Sequence, residues 1–169
     1  MSARAQLLDI HEILTPADHQ THRRYLFQVP PDSHQLKIWV RYAPKRLGEQ
    51  ESIALAEVAL AQQTASLATR VGEPLAAQWS ADHSVVAKSA RIVNLLTISL
   101  DDAHGVYRGA SHRHSADQHL QLGPRLASPG LVVGPLAPGA WTLTVSAHTV
   151  VSDQCELSIQ IEAEIAVGR

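Results

Sequence analysis

The fold is decided by the run LVVGPLAPGAWTLTVSAHTV at positions 131–150. Its segment 137–140 has Pro138 and Gly139 as the central pair. This predicts a type II turn, because Pro presets φ at the first central position and Gly accepts a positive φ at the second. Apolar and polar residues alternate directly after the turn, which predicts a strand with one face in a core. The residues of the expected inward face are Trp141, Leu143, Val145, Ala147 and Val151. We expect Trp141 at the centre of the core, with a hydrogen-bond partner for its indole N–H.

The two-residue period recurs along the chain and predicts further strands. They are expected over 24–29, 35–42 and 91–100, around Leu120 and Leu122, and over 154–165. The first two flank a loop of Pro, Asp and Ser, which predicts that they form an antiparallel pair. Residues 1–21 are expected to form a lead-in along the surface, and residues 106–115 are interpreted as a polar stretch between strands.

The pattern changes in the middle of the chain. Between residues 49 and 70 the composition turns to Ala, Leu, Gln and Glu, which favour helix, and Ile53 and Leu60 begin a seven-residue repeat. A helix of about five turns is predicted here, ended by Gly72. Residues 75–90 are compatible with either a short second helix or a long loop. The narrow, Ala-rich stripe of the helix fits either the core of its own domain or a second copy of itself.

Together these patterns predict a mainly β protein, an antiparallel β-sandwich of jelly-roll-like form with a helical insertion at about 49–90. A chain of 169 residues, of which 45% are hydrophobic and 18% charged, is long enough for one domain with a sizeable core. We therefore expect a single domain over 1–169.

Charge and composition exclude several classes of partner. The formal net charge of −2 and the absence of a basic run favour neither nucleic acid nor an anionic membrane. No segment approaches the roughly 20 apolar residues of a membrane span, and a cytoplasmic location is expected. The lone Cys155 excludes an internal disulfide framework and a multi-cysteine zinc site.

Three sets of turn and core residues carry a family resemblance: FQVP at 27–30 with Tyr42-x-Pro44, the segment 94–111, and the segment 128–141. They resemble the β-sandwich domain that precedes the PHP-type catalytic domain in CehA/McbA-like metallohydrolases, and more loosely the bacterial pre-peptidase C-terminal sandwich. The resemblance implies an accessory, PHP-associated module, because the family's His-x-His metal motif lies beyond the sandwich. In the matching loop Arg108 and Ser111 are the candidate ligand-binding residues, and Ala110 stands where the family usually has an aromatic residue.

A metal site is the chemical alternative. His112 and His114 would place two imidazoles on one face of an extended segment, and Asp101 and His104 lie close in sequence. Zinc and similar metals take three or four such ligands, so these four residues are the candidate metal ligands. A solvated polar loop, with the aspartates forming a turn, is the competing interpretation.

Other catalytic signatures are absent from the sequence: it contains no G-x-S-x-G elbow, P-loop, G-x-G-x-x-G or H-E-x-x-H motif. Two functional hypotheses follow. The first is a non-catalytic binding or assembly module without a cofactor, which binds a partner protein or a small ligand and whose residues 49–70 are the candidate surface for homo-oligomers. The second is a metal-dependent hydrolase that holds a divalent metal in the His112/His114 region.

Overall fold

A computed structural model describes residues 2–112 and 115–166. The chain divides into two compact units. The sandwich unit lies within residues 1–45 and 94–169, and the helical unit within residues 46–93. The predicted β-sandwich with a helical insertion is confirmed.

The sandwich unit consists of two antiparallel four-stranded sheets in the described residues. Its strands are β1 (Ser2–Leu14), β2 (Thr21–Val29), β3 (Ser33–Ala43), β4 (Leu95–Asp101), β5 (Tyr107–Ser111), β6 (Asp117–Leu122), β7 (Gly139–Thr149) and β8 (Cys155–Ala166). Sheet I has the strand order β1-β8-β3-β6, and sheet II has the order β2-β7-β4-β5. A single turn of 3-10 helix at Pro16–Asp18 joins β1 to β2.

The core lies between the inward faces of the two sheets, and Trp141 is completely buried in it as predicted. The Trp141 indole Nε1 donates a hydrogen bond of 2.8 Å to the carbonyl of Ala137, so the segment before β7 supplies the partner that the buried N–H requires. The predicted turn at 137–140 is a bend at Pro138, and Gly139, with a φ of +128°, is the first residue of β7. The largest other fully buried side chains are aliphatic: Leu14, Leu36, Ile38, Leu96, Ile98, Leu100, Leu122, Leu143, Leu157, Ile159 and Ile161.

The first strand differs from the sequence prediction, because residues 2–14 form an edge strand of sheet I and not a lead-in. The pairing of β1 with β8 shifts register between Gln6 and Leu8. Such an extra residue moves every later side chain to the opposite face and breaks the two-residue period. Glu12 also lies on the inward side, next to the fully buried Leu14, which weakens the apolar pattern further.

The predicted pairing of the strands at 24–29 and 35–42 is wrong. β2 pairs with β7 in sheet II, whereas β3 pairs with β6 and β8 in sheet I. The loop between them therefore carries the chain from one sheet to the other, with Asp32 at a φ of +60°. Alternation of apolar residues identifies a strand with one buried face, but it does not identify the sheet to which that strand belongs.

The strand β5 lies where a polar stretch was expected. Its residues Arg108–Ser111 are all buried, so no alternation marks them. The segment after β6 covers this strand: the Ala110 N–H donates to the Gly130 carbonyl at 3.0 Å, and Gly109 forms a bridge with Leu131.

The helical unit is a hairpin of α1 (Glu49–Val71) and α2 (Glu73–Lys88). The predicted helix is confirmed, and of the two alternatives for residues 75–90 the helix is correct. Gly72, at a φ of +89°, joins the two helices and donates its N–H to the Ala68 carbonyl at 3.0 Å. Neither helix in the described part of the chain is long and apolar enough to span a membrane.

Candidate functional site

Arg108, a predicted ligand-binding residue, lies inside the sandwich unit. Its side chain is 5% exposed, and its guanidinium stands 5.2 Å from the centroid of the Trp141 ring and 3.7 Å from the Asp102 carboxylate. Three backbone carbonyls accept its hydrogen bonds: those of Pro135 at 2.9 Å, Gly134 at 3.1 Å and Val132 at 3.2 Å. These contacts make Arg108 a clamp on the segment 132–135 and give its predicted ligand role no support.

Ser111, the second predicted ligand-binding residue, is 1% exposed. Its hydroxyl donates a 2.6 Å hydrogen bond to Oε1 of Gln118, which is itself buried. The hydroxyl thus satisfies a buried polar side chain within the sandwich. A ligand at the surface would not reach it.

The residues 101–105 form the turn that the sequence predicts. The Asp102 Oδ1 accepts hydrogen bonds from the backbone N–H groups of His104 at 2.9 Å and Val106 at 3.0 Å, which is an Asx-turn. Gly105 has a φ of +72° in this turn. Both Asp102 oxygens therefore have partners in the sandwich unit, one in the turn and one at Arg108.

The four predicted metal ligands are not assembled into a site within the described residues. Asp101 is partly buried, whereas His104 and His112 are exposed. His114 lies outside the described residues. Across residues 2–112 and 115–166, no group of three or more His, Cys, Asp or Glu side chains is placed to hold a metal ion. The hydrolase hypothesis stays a prediction from the sequence.

Cys155 lies in the core, as predicted. Desolvation by burial raises the pKa of its thiol to about 11. The thiol is therefore protonated near neutral pH, where it packs as a small apolar group and is a poor nucleophile.

The sequence analysis missed Asn94, a fully buried polar residue. Its Nδ2 donates to the Pro44 carbonyl and the Ser152 hydroxyl, both at 2.8 Å, and its Oδ1 accepts from the Val151 N–H at 2.8 Å. The Asn94 N–H donates to the Lys45 carbonyl at 3.1 Å. Asn94 is the first residue of the sandwich unit after the helical unit, and it is bonded to Pro44 and Lys45, the last residues of the sandwich unit before it. These partners are 49 and 50 positions away in the sequence, so no local sequence pattern reveals the role of Asn94.

A cluster of four titratable side chains joins β1, the 3-10 turn and β2. The Arg23 guanidinium is 2.5 Å from Oδ1 of Asp18 and 3.4 Å from Oε2 of Glu12. The Tyr25 hydroxyl donates to the same Glu12 oxygen at 3.0 Å. The Thr15 backbone N–H donates to Asp18 at 2.9 Å, and this bond, followed by the Arg23 contact, lowers the pKa of Asp18. The cluster is a structural network at the end of the sandwich.

The Asp18 network predicts a pH-dependent stability. A carboxyl whose pKa is lower in the folded state stabilises the fold fully above its ordinary value near 3.9, and this contribution is lost as pH falls towards the folded value. The difference in free energy of unfolding between the native chain and Asp18→Asn is therefore expected to shrink as pH falls from about 6 to 3. Urea unfolding followed by circular dichroism measures it. The control is Asp153→Asn, which removes an exposed carboxyl that forms no hydrogen bond within the described residues. A difference for Asp18→Asn that stays constant with pH would contradict the network's role.

The helical unit carries an apolar groove of about 510 Å³ along one side of the hairpin, here called the hairpin groove. The Trp79 and His83 rings, both in its lining, stack with their centroids 4.3 Å apart. Val86, on its rim, is 65% exposed. The lining residues are Ala56, Ala59, Leu60, Gln63, Trp79, His83, Val86, Ala87, Ser89, Ala90 and Arg91. Arg91 is the one residue of this lining that carries a permanent charge.

Few residues of the hairpin are buried. Within its helices only Ser52, Ala76 and Ala87 are buried. The residues 58–69 of α1 include no ionisable side chain over twelve consecutive positions, whereas helix surfaces that face water are normally charged. Two helices that bury so little need a further layer against them to be stable. The hairpin groove is where such a layer fits.

Neither a known family model nor a curated protein matches this chain. The resemblance to the CehA/McbA-like sandwich therefore stays a prediction from the residues that carry it.

Proposed function

We propose that this protein is a non-catalytic binding and assembly module, in which the β-sandwich is a scaffold and the helical hairpin associates with a second copy of the chain. The observation that carries the proposal is the hairpin groove, an apolar surface on a two-helix unit with almost no core of its own. An accessory role agrees with the family resemblance. The arrangement of Arg108 and Ser111 agrees with it too, because both residues serve the sandwich itself.

A second copy suits the groove better than a charged partner would. The groove and the neighbouring stretch 58–69 offer almost no charge to a polar partner, and the groove's own alanines at positions 56, 59 and 90 let another helix approach closely. Two hairpins related by a twofold axis would bury both grooves at once in a four-helix arrangement, which is the common form of such interfaces. The self-association surface then includes α2 as well as residues 49–70.

The test compares two neighbouring valines of α2. Val86 lines the hairpin groove, whereas Val85 is 72% exposed and does not line it. We expect the native chain to elute as a dimer with twice the 18.3 kDa chain mass in size-exclusion chromatography with light scattering. Val86→Glu is expected to weaken the dimer by at least about a hundredfold, because it buries an unpaired charge in an apolar interface.

The matched control is Val85→Glu, which adds the same charge beside the groove and is expected to leave the dimer intact. Circular dichroism checks that both variants keep their helix content. A native chain that elutes at 18.3 kDa at every concentration would overturn the proposal. Equal dissociation by the two variants would show that the groove is not the interface.

A further inference from the structure

The solvent-facing side of sheet I carries a tryptophan that the core does not use. Trp39 lies in β3, between β8 and β6, directly opposite Gln160 and His119. Its neighbours in sequence, Ile38 and Val40, are buried in the core, so the Trp39 side chain points to the outer face, where it is half-buried.

Polar side chains surround Trp39 on every side. The strand registers place eight residues next to it on this face, in the same row, two positions along β3 or on the diagonals. They are Lys37, Arg41, Asp117, His119, Gln121, Ser158, Gln160 and Glu162. We call Trp39 and these eight residues the Trp39 platform.

Half of the platform's polar groups have their partners inside the chain. Lys37 donates to Glu164 at 2.6 Å, and His119 lies 3.2 Å from Asp117. Gln121 accepts from Gln35 at 2.9 Å. The other four side chains form no hydrogen bond or ion pair with any described residue: Arg41, Ser158, Gln160 and Glu162. They include a cationic donor, an anionic acceptor, an amide and a hydroxyl, so both kinds of hydrogen-bonding group stand around one indole.

A shallow depression of about 580 Å³ continues from the Arg41 end of the platform. Its lining adds the polar side chains of His11 and Glu156 to those of Arg41 and Ser158. The polar surface next to Trp39 thus continues beyond the platform, as binding of a chain-like ligand would require.

We propose that the Trp39 platform binds a neutral saccharide, with one sugar ring stacked on the indole. The C–H face of a sugar ring is apolar and packs on an aromatic face, while its outward hydroxyls both donate and accept hydrogen bonds. Arg41 donates hydrogen bonds, Glu162 accepts them and Gln160 does both, so these side chains can bind sugar hydroxyls that act as acceptors or as donors. This inference concerns the sandwich unit and does not depend on the assembly role of the hairpin.

Charge favours a sugar over a nucleotide. The carboxylates of Glu156, Glu162 and Asp117 lie on this face and outnumber its two permanent cations, Lys37 and Arg41, so the net charge disfavours a phosphate. A neutral ring needs no positive pocket.

The experiment is native affinity electrophoresis in gels that contain a soluble neutral polysaccharide, with an α-glucan, a β-glucan and a mannan as probes. Calorimetry with oligosaccharides of the polymer that retards the chain then measures the affinity. We expect retardation by at least one probe and binding at least about tenfold weaker in Trp39→Ala, which removes the stacking surface. Trp39→Tyr is expected to keep most of the binding, because an aromatic face remains.

The matched control is Tyr107→Ala, which removes an exposed aromatic side chain of sheet II and is expected to leave saccharide binding unchanged. Gln160→Ala is expected to weaken binding without changing the thermal midpoint, since its side chain is exposed. Binding of all probes that is equal in the native chain and Trp39→Ala would overturn the proposal. So would no retardation by any probe in a chain that is folded by circular dichroism, or retardation by a nucleotide polymer instead.

Discussion

Replacing Arg108 with Ala is expected to lower the free energy of unfolding by about 3–5 kcal/mol, the range for removing one side of a buried charged network. Arg108 is 5% exposed and its guanidinium donates to three carbonyls of the segment 132–135, so its loss leaves buried acceptors without donors. It also removes the cation from the face of Trp141. Urea unfolding monitored by tryptophan fluorescence measures the change.

Two further substitutions separate the possible causes. Arg108→Lys keeps the charge but cannot reach three carbonyls with a planar fork, so it is expected to recover only part of the loss. Arg24→Ala removes an exposed arginine of β2 and is expected to change stability by less than about 0.5 kcal/mol. If Arg108→Ala were as stable as the native chain, the hydrogen bonds of Arg108 to the segment 132–135 would contribute nothing to stability. The predicted ligand-binding role would then explain Arg108 better than the structural one.

The strands with one buried and one exposed face could be predicted from the sequence. In β3 and β7 the apolar side chains alternate over the full strand, and the structure buries the predicted faces, with Trp141 at the centre. The exception is Val151, which lies beyond the end of β7 and is only partly buried, while Val150 is in the core. β1 and β5 escaped prediction for two different reasons. A register shift between Gln6 and Leu8 breaks the period in β1, and cover on both faces removes it in β5.

The roles of the candidate site residues could not be predicted in the same way. The residue type of Arg108 suggests a ligand, but its partners are carbonyls 24 to 27 positions further along the chain. The Ala-rich stripe was visible in α1, whereas the contribution of Trp79 and Val86 to the hairpin groove was not, because α2 has no clean apolar period. Long-range contacts decide both cases, and local patterns do not encode them.

Replacing Gly109 with Ala is expected to cost about 3–5 kcal/mol, the sum of backbone strain and overpacking. Gly109 has a φ of +104°, where L residues are strained. A Cβ there would overlap the Gly130 carbonyl oxygen and lie 2.7 Å from the Leu131 Cα, both of which are backbone atoms that cannot rotate away. The clash would push the segment that contains Gly130 and Leu131 away from β5. The Gly109–Leu131 bridge and the Ala110–Gly130 hydrogen bond would then be lost.

Two other glycines of the chain divide this cost into its parts. Gly105 has a φ of +72°, and among the described residues beyond its two chain neighbours no atom lies within 4 Å of the place that an added Cβ would occupy, so Gly105→Ala carries strain alone and is expected to cost about 1 kcal/mol. Gly48, at a φ of −57° and also in open space, lacks both penalties, and Gly48→Ala is expected to stay within about 0.5–1 kcal/mol of the native chain. The urea midpoints of Gly48→Ala and Gly105→Ala are therefore both expected well above that of Gly109→Ala. Equal midpoints for Gly105→Ala and Gly109→Ala would show that the segment along β5 separates from it freely, and that the burial of β5 contributes little to the stability of the sandwich.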